Sequence, residues 1–150
     1  GAEGAERLNR LLDTYFGELV DALLDAGGDI IKFAGDALVA AWRGDASVPP
    51  AELLGRVAAV TLLLQDRLSR NSAAIEAKLS LKLSVGYGSY RVALLGGMLG
   101  RWETVITGAP LAQVGEANHA AGPGQVIFSR EAWTALGRPD AGRPVGEDGL

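Results

Sequence analysis

The sequence predicts an α+β sandwich, with helices laid on one face of an antiparallel sheet. Three observations predict it: two long stretches with apolar residues at helical spacing, a glycine-marked hairpin between them, and a later segment of alternating apolar and polar residues. The first stretch carries Leu8, Leu11, Leu12, Tyr15, Phe16, Leu19, Val20, Leu23 and Leu24 on one helical face. Gly27-Gly28 supplies its stop, because glycine accepts the left-handed conformation that closes a helix. Asp29 to Ala34 and Ala37 to Trp42 then read as two short strands joined by a tight Gly35-Asp36 turn. Gly44 to Pro50 form a loop, and Pro50 suits the first turn of a helix marked by Leu53, Leu54, Val57, Val60, Leu64 and Leu68 and ending near Asn71.

Leu79, Leu81, Leu83 and Val85 alternate with Ser80, Lys82 and Ser84, the pattern of a strand with one face on a core. A glycine-spaced stretch follows through Gly86, Gly88, Gly96 and Gly97. Arg101 to Thr107 reads as a strand, Pro110 to Ala121 as a helix, and Gln125 to Ser129 as a strand before a short helical turn around Trp133. No internal repeat is read. A ferredoxin-like βαββαβ sandwich would need one more strand before Leu8, and that first strand is expected to be missing from this chain.

With 150 residues and 48% hydrophobic content, the chain suits a single domain that buries a core. Residues 1–136 are read as that domain, and the glycine-, proline- and charge-rich residues 137–150 as a loose tail or the start of a linker. No run approaches the roughly 20 apolar residues of a membrane span, and no secretory signal opens the chain, so a cytoplasmic protein without a membrane partner is expected. Absence of cysteine excludes disulfides and thiolate chemistry, and a single histidine argues against a histidine metal cage. Any metal would be a hard ion held by oxygen. The net charge of −4, with both signs interspersed, offers no footprint for nucleic acid.

The segment Gly27-Gly-Asp-Ile-Ile-Lys-Phe-Ala-Gly-Asp-Ala-Leu-Val-Ala-Ala-Trp42 resembles the central hairpin of class III nucleotide cyclases, most closely the soluble adenylyl cyclase branch. Glu3 to Leu12, Val85-Gly-Tyr-Gly-Ser-Tyr90, Trp102 to Gly108 and Gly124 to Ser129 extend the resemblance over roughly residues 3 to 135. In that family two aspartates, one on the first strand and one at the hairpin, hold two divalent ions that activate the ribose 3′-hydroxyl and neutralise the triphosphate. Asp36 matches the second aspartate, which implies Mg²⁺ or Mn²⁺ as cofactor; the first would lie on the missing strand. Taken alone, Gly-Asp is also ordinary turn chemistry, and Asp29 reads as a solvated residue at the helix exit.

Lys32 stands where many members carry a lysine that reads the adenine edge, and Lys32, Phe33, Ala34 and Gly35 are the implied substrate-binding segment beside Asp36. In the family the metal aspartates and the base-reading lysine of one active site come from opposite partners. A complementary cyclase domain, in a tandem pair or a homodimer, is therefore implied as partner, with ATP as substrate. The bland reading of Lys32 is a strand lysine that reaches into water.

The helix after Gly108 departs from the family pattern. Ala112 and Glu116 stand where catalytic members place an asparagine and an arginine, and neither can donate to a phosphate. Val105 replaces an acidic residue that helps read adenine in many homodimeric members. A metal aspartate without these groups is the pattern of the first half of a tandem cyclase. Bicarbonate, sensed by some members through a lysine and an arginine, is an expected ligand only if Arg101 substitutes for the arginine, whose position is Gly115. The resemblance implies conversion of ATP to cyclic AMP and pyrophosphate; the alternative is an inactive cyclase-like dimerisation module.

Other signals are weaker. Gly27-Gly28-Asp29 looks like the signature of diguanylate cyclases, but it precedes the first hairpin strand instead of forming the tip. Gly86-x-Gly and Gly96-Gly97 do not open a helix after a strand, so they are read as close backbone approaches at a dimer cleft. His119 reads as a surface or internally satisfied histidine. Trp42, Trp102 and Trp133 read as core or interface anchors.

Overall fold

The computed structural model describes residues 2–75 and 80–145. The elements run α1 (Ala2–Asp25), β1 (Asp29–Ala34), β2 (Ala37–Ala41), α2 (Pro50–Ile75), β3 (Leu83–Val85), β4 (Tyr90–Gly96), β5 (Trp102–Gly108), α3 (Ala109–Ala120), β6 (Val126–Phe128) and α4 (Arg130–Leu136). The α+β class, both long helices and the hairpin between them match expectation. No strand precedes α1 among the described residues, and the side chains of Leu8, Leu11 and Leu12 lie outside them.

The helices fold where the sequence supplies a buried stripe. Along α2, Leu54, Val57, Val60, Leu64 and Leu68 recur at helical spacing and are all buried. Val60 and Leu64 meet Leu19, Ala22 and Leu23 of α1, and Ile30, Leu38, Ala40 and Leu83 from β1, β2 and β3 pack against this cluster. Further along, Leu54 and Val57 meet Val85 of β3 with Ala132 and Leu136 of α4. Trp42 packs against both clusters, and its Nε1–H donates to the Ala26 carbonyl at 3.0 Å, which ties the end of β2 to the end of α1. Gly28 must be glycine here, because a Cβ would lie 2.8 Å from the Trp42 ring.

Among the described residues the sheet part of this α+β fold is divided into short ladders. The strands make three two-stranded ladders: β1–β2 and β4–β5 antiparallel, β3–β6 parallel. A parallel pair requires a long crossover, and the chain through β4, β5 and α3 provides it. β3 is also shorter than its alternation predicts. Leu79 lies outside the described residues, and the Leu81 carbonyl accepts from the Gln65 side chain at 2.7 Å and from Gly124 N–H at 3.0 Å, so the ladder keeps only Leu83–Val85.

β4 falls in the stretch read only as glycine-spaced. Most of its residues are exposed, so no period-two pattern marks it. The glycines around it do make close approaches, but within the chain: Gly86 against Pro110, Gly96 against Arg101 and Trp102, and Gly108 against Tyr90. Residues 138–145 follow α4. They run through a 3-10 turn, Pro139–Ala141, and bring Val145 against Ala117, Ala121 and Ile127.

Two outcomes test this packing. Leu64 is among the largest fully buried side chains, so Leu64→Ala lowers unfolding free energy by about 2–5 kcal/mol in urea titration. The Tyr15 hydroxyl is buried without a hydrogen-bond partner, and burial pushes its pKa up to about 12. An unfolded tyrosine ionises near 10, so the unfolded chain alone gains the ionised form as pH rises from about 10 through about 12, and stability falls across that window. Tyr15→Phe abolishes that alkaline loss and at pH 7 leaves stability unchanged or higher by about 1 kcal/mol.

Candidate functional site

The candidate site is built on the β1–β2 hairpin. Its two strands pair from Asp29–Ala41 to Ala34–Ala37, and Gly35 turns the chain at φ 63, a left-handed value that disfavours side chains with a Cβ. Asp36 follows in the turn and is exposed. The root of the hairpin is fixed by Ile30, Leu38 and Ala40 under the helices, whereas Lys32 through Ala37 are all exposed. A carboxylate is thus held on short, paired backbone yet open to solvent.

One irregularity decides where Lys32 points. Ile30 pairs with Ala40, but Lys32 pairs with Val39, so Ile31 is an extra residue opposite no partner, a β-bulge. Side chains directly opposite share a face. Ile30 and Ala40 therefore share the helix side, as do Phe33 and Leu38, while Lys32 and Val39 share the far side. In a regular strand Lys32 would lie on the same face as Ile30. The bulge turns it away from the helices instead. Phe33, on the helix side, is still 53% exposed, because it lies near the tip.

The other residues singled out from sequence lie elsewhere. Ala112, Gly115 and Glu116 are exposed on α3, and Val105 is half-buried on β5 opposite Ala93. β5 runs close to β1. Arg101 is exposed just before β5. His119 is exposed, and its Nδ1 donates to the Gly115 carbonyl at 2.8 Å, a local helix contact. Trp42 and Trp133 are packed into the core clusters, while Trp102 is 64% exposed on the β4–β5 ribbon together with Val92, Leu94, Leu95 and Leu99. A hollow of ≈ 310 Å³ is lined by Asp45, Ser47, Val48, Leu53 and Tyr87, and none of residues 32–36 lines it. Asp45 there caps its own turn: the Ser47 N–H and hydroxyl hold its carboxyl below the usual range.

Among the described residues no group of three His, Cys, Asp or Glu side chains could hold a metal ion. Asp36 fits a narrower role. Mg²⁺ is commonly bound through one or two carboxylates, with water and substrate phosphates completing its shell. A solvent-open carboxylate on a hairpin suits one such ligand, not a whole cage.

A residue that sequence reasoning passed over holds α3 in place. The Gln113 side-chain oxygen accepts from Tyr87 N–H at 2.8 Å and from the Ser129 hydroxyl at 3.0 Å. Ser129, 1% exposed, in turn caps α4 by accepting from Ala132 N–H. One carboxamide thus joins α3, the exit of β3 and the start of α4. Nothing in the residue types around Gln113 signals this, since its partners are distant in sequence.

No protein-family model matches the chain. Over 40 residues, 27% of the chain, it is 52% identical to adenylate cyclase type 10 of Rattus norvegicus, and equally to that of Homo sapiens. The aligned segment spans 2% of the length of these relatives. Among solved structures, the adenylyl cyclase CyaB from P. aeruginosa superposes with a TM-score of 0.69 at 19% identity, covering 97% of this chain and 78% of that one. The guanylyl cyclase Cya2 superposes with a TM-score of 0.66 at 18% identity, covering 88% and 68%. The chain therefore has the cyclase-type α+β fold, as the resemblance of its hairpin implies.

The Gln113 junction is open to test. Gln113→Leu leaves the Ser129 hydroxyl and the Tyr87 N–H without their acceptor and costs about 1–3 kcal/mol. Gln113→Glu, which keeps an oxygen in place, costs less. Urea unfolding of both variants measures the difference.

Proposed function

We propose that this cyclase-fold domain is one half of a nucleotide cyclase active site, converting ATP to cyclic AMP and pyrophosphate in company with a complementary cyclase domain. The observation that carries the proposal is Asp36: an exposed carboxylate at the turn of a hairpin whose root is packed under two helices. The 40-residue similarity to an adenylate cyclase supports ATP as substrate. The fold alone does not choose the base, since its neighbours include an adenylyl and a guanylyl cyclase.

In the reaction the ribose 3′-oxygen attacks the α-phosphorus, the bond to the pyrophosphate oxygen breaks, and the 3′-hydroxyl proton leaves. A divalent cation, Mg²⁺ or Mn²⁺, supplies positive charge that offsets the triphosphate and acidifies the 3′-hydroxyl. Asp36 contributes one carboxylate to hold it. Lys32, turned to the face away from the helices by the bulge, is free to donate to a base edge. The segment Phe33-Ala34-Gly35 lines the approach to the turn.

Two features support a partner. Ala112 and Glu116 are exposed on α3 and offer no donor to a phosphate, so donors for the transition state must come from elsewhere. The β4–β5 ribbon exposes Val92, Leu94, Leu95, Leu99 and Trp102, a concentration of apolar surface that commonly marks an interaction site. Bicarbonate would require Arg101 to stand in for an arginine at Gly115; a cytoplasmic setting suits a domain in which no described helix is long and apolar enough to cross a membrane.

The isolated chain is expected to show negligible cyclase activity. Assembled with a complementary cyclase domain, and with a strand carrying a second aspartate supplied ahead of residue 1, it forms cyclic AMP from ATP in the presence of Mg²⁺ or Mn²⁺. In that assembly Asp36→Ala lowers turnover by at least about a hundredfold, while unfolding free energy changes by less than about 0.5 kcal/mol because the side chain is exposed. Activity retained in Asp36→Ala removes the metal role. An assembled wild-type protein that forms no cyclic nucleotide supports the inactive dimerisation module instead.

A further inference from the structure

The residues after α4 are fastened back onto the domain at two points. α4 ends at Gly137, in the left-handed conformation with φ 67, and its N–H donates to the Trp133 and Thr134 carbonyls. After the 3-10 turn, Gly142 crosses the Trp133 ring so closely that a Cβ would lie 2.7 Å from it. Its φ of −160 is ordinary extended backbone, so glycine is needed there for space. Val145 then packs on the small cluster of Ala117, Ala121 and Ile127. A short repeat underlies the two attachments, Gly137-Arg-Pro139 and Gly142-Arg-Pro144. Each proline restricts its own φ and the residue before it, which lowers the entropy lost when the segment is seated.

The helix that receives this segment buries little of its own surface. Of α3, only Ala117 is fully buried. Its first half is positioned by Gly86 against Pro110 and by the Gln113 junction. Its second half rests on a cluster of three buried side chains, two of them alanines, and Val145 is the further hydrophobic residue packed on that cluster. Alanine side chains bury little apolar area, so a valine added to their contact is a large share of what holds this end.

We propose that residues 138–145 are a clasp that holds the C-terminal half of α3 against β6, so that seating or releasing this segment sets the order of that half and of the exposed Glu116 on it. The proposal goes beyond the cyclase reading and does not need it, because its test reads backbone order and not turnover. Amide hydrogen exchange is measured on the whole chain for wild type, Gly142→Val, Val145→Ser and Val145→Ile. Gly142→Val forces side-chain atoms into the Trp133 ring, and Val145→Ser removes the apolar contact. In both, amides of residues 115–121 exchange about tenfold faster or more, while those of the β1–β2 hairpin keep their wild-type rates. Val145→Ile, which keeps the contact, preserves protection of α3. Unchanged exchange of 115–121 in Val145→Ser overturns the clasp, and so does an equal acceleration in the hairpin, which signals general loosening. If Gly142→Val does not fold, the two Val145 variants decide the matter by themselves.

Discussion

Burial of one apolar stripe on α2 is the constraint on which the rest of the molecule depends. Val60 and Leu64 close a cluster with α1 and the first strands, and Leu54 and Val57 close another with β3 and α4. An isolated two-stranded hairpin is marginal in water, so β1–β2 holds its place only because Ile30, Leu38 and Ala40 sit beneath the helix pair. Trp42 extends this anchorage, packing on both clusters and bonding to the end of α1. The hairpin is thereby rigid at its root and free at its turn. That division suits a residue meant to meet something outside the fold.

What was legible in the sequence follows from which faces are buried. The helices and the first hairpin could be read because each sets apolar residues at a period that burial imposes. β4 could not, because a strand with both faces exposed has no reason to alternate. The parallel pairing of β3 with β6 also escaped, since it depends on a crossover spanning two strands and a helix. At the candidate site, Asp36 and its neighbours were legible through resemblance to a family hairpin. The orientation of Lys32 was not. It is set by cross-strand register at Ile31, and neither of two adjacent isoleucines announces which one is the extra residue. The role of Gln113 was hidden for a similar reason, since both donors that it accepts lie far along the chain.

The exposed apolar residues of the β4–β5 ribbon and the polar poverty of α3 belong to one picture. Leu94 and Leu95 are successive residues, so they point to opposite faces of the ribbon, and both are more than half exposed. A surface of that kind is costly to leave in water, and covering it would remove apolar area from solvent at about 25 cal/mol per Å². α3, by contrast, shows solvent Ala112 and Glu116, with no hydrogen-bond donor aimed outward from either side chain. The domain is better equipped to receive a neighbour than to finish a reaction by itself.

The bulge at Ile31 has a bearing on how this hairpin can vary. Because one arm is a residue longer than its mate, the difference in length between the two arms, more than the chemical identity of their residues, governs whether Lys32 and Ile30 share a face. Adding a residue to the other arm between Val39 and Ala40 would give Ile31 a partner and set the ammonium of Lys32 on the face of Ile30, beneath the helices, where a charge finds no water, whereas exchanging Ile31 for valine would leave the geometry intact. Descendants of this sequence should therefore tolerate spelling changes in the strand far more readily than an added residue in the arm that faces it.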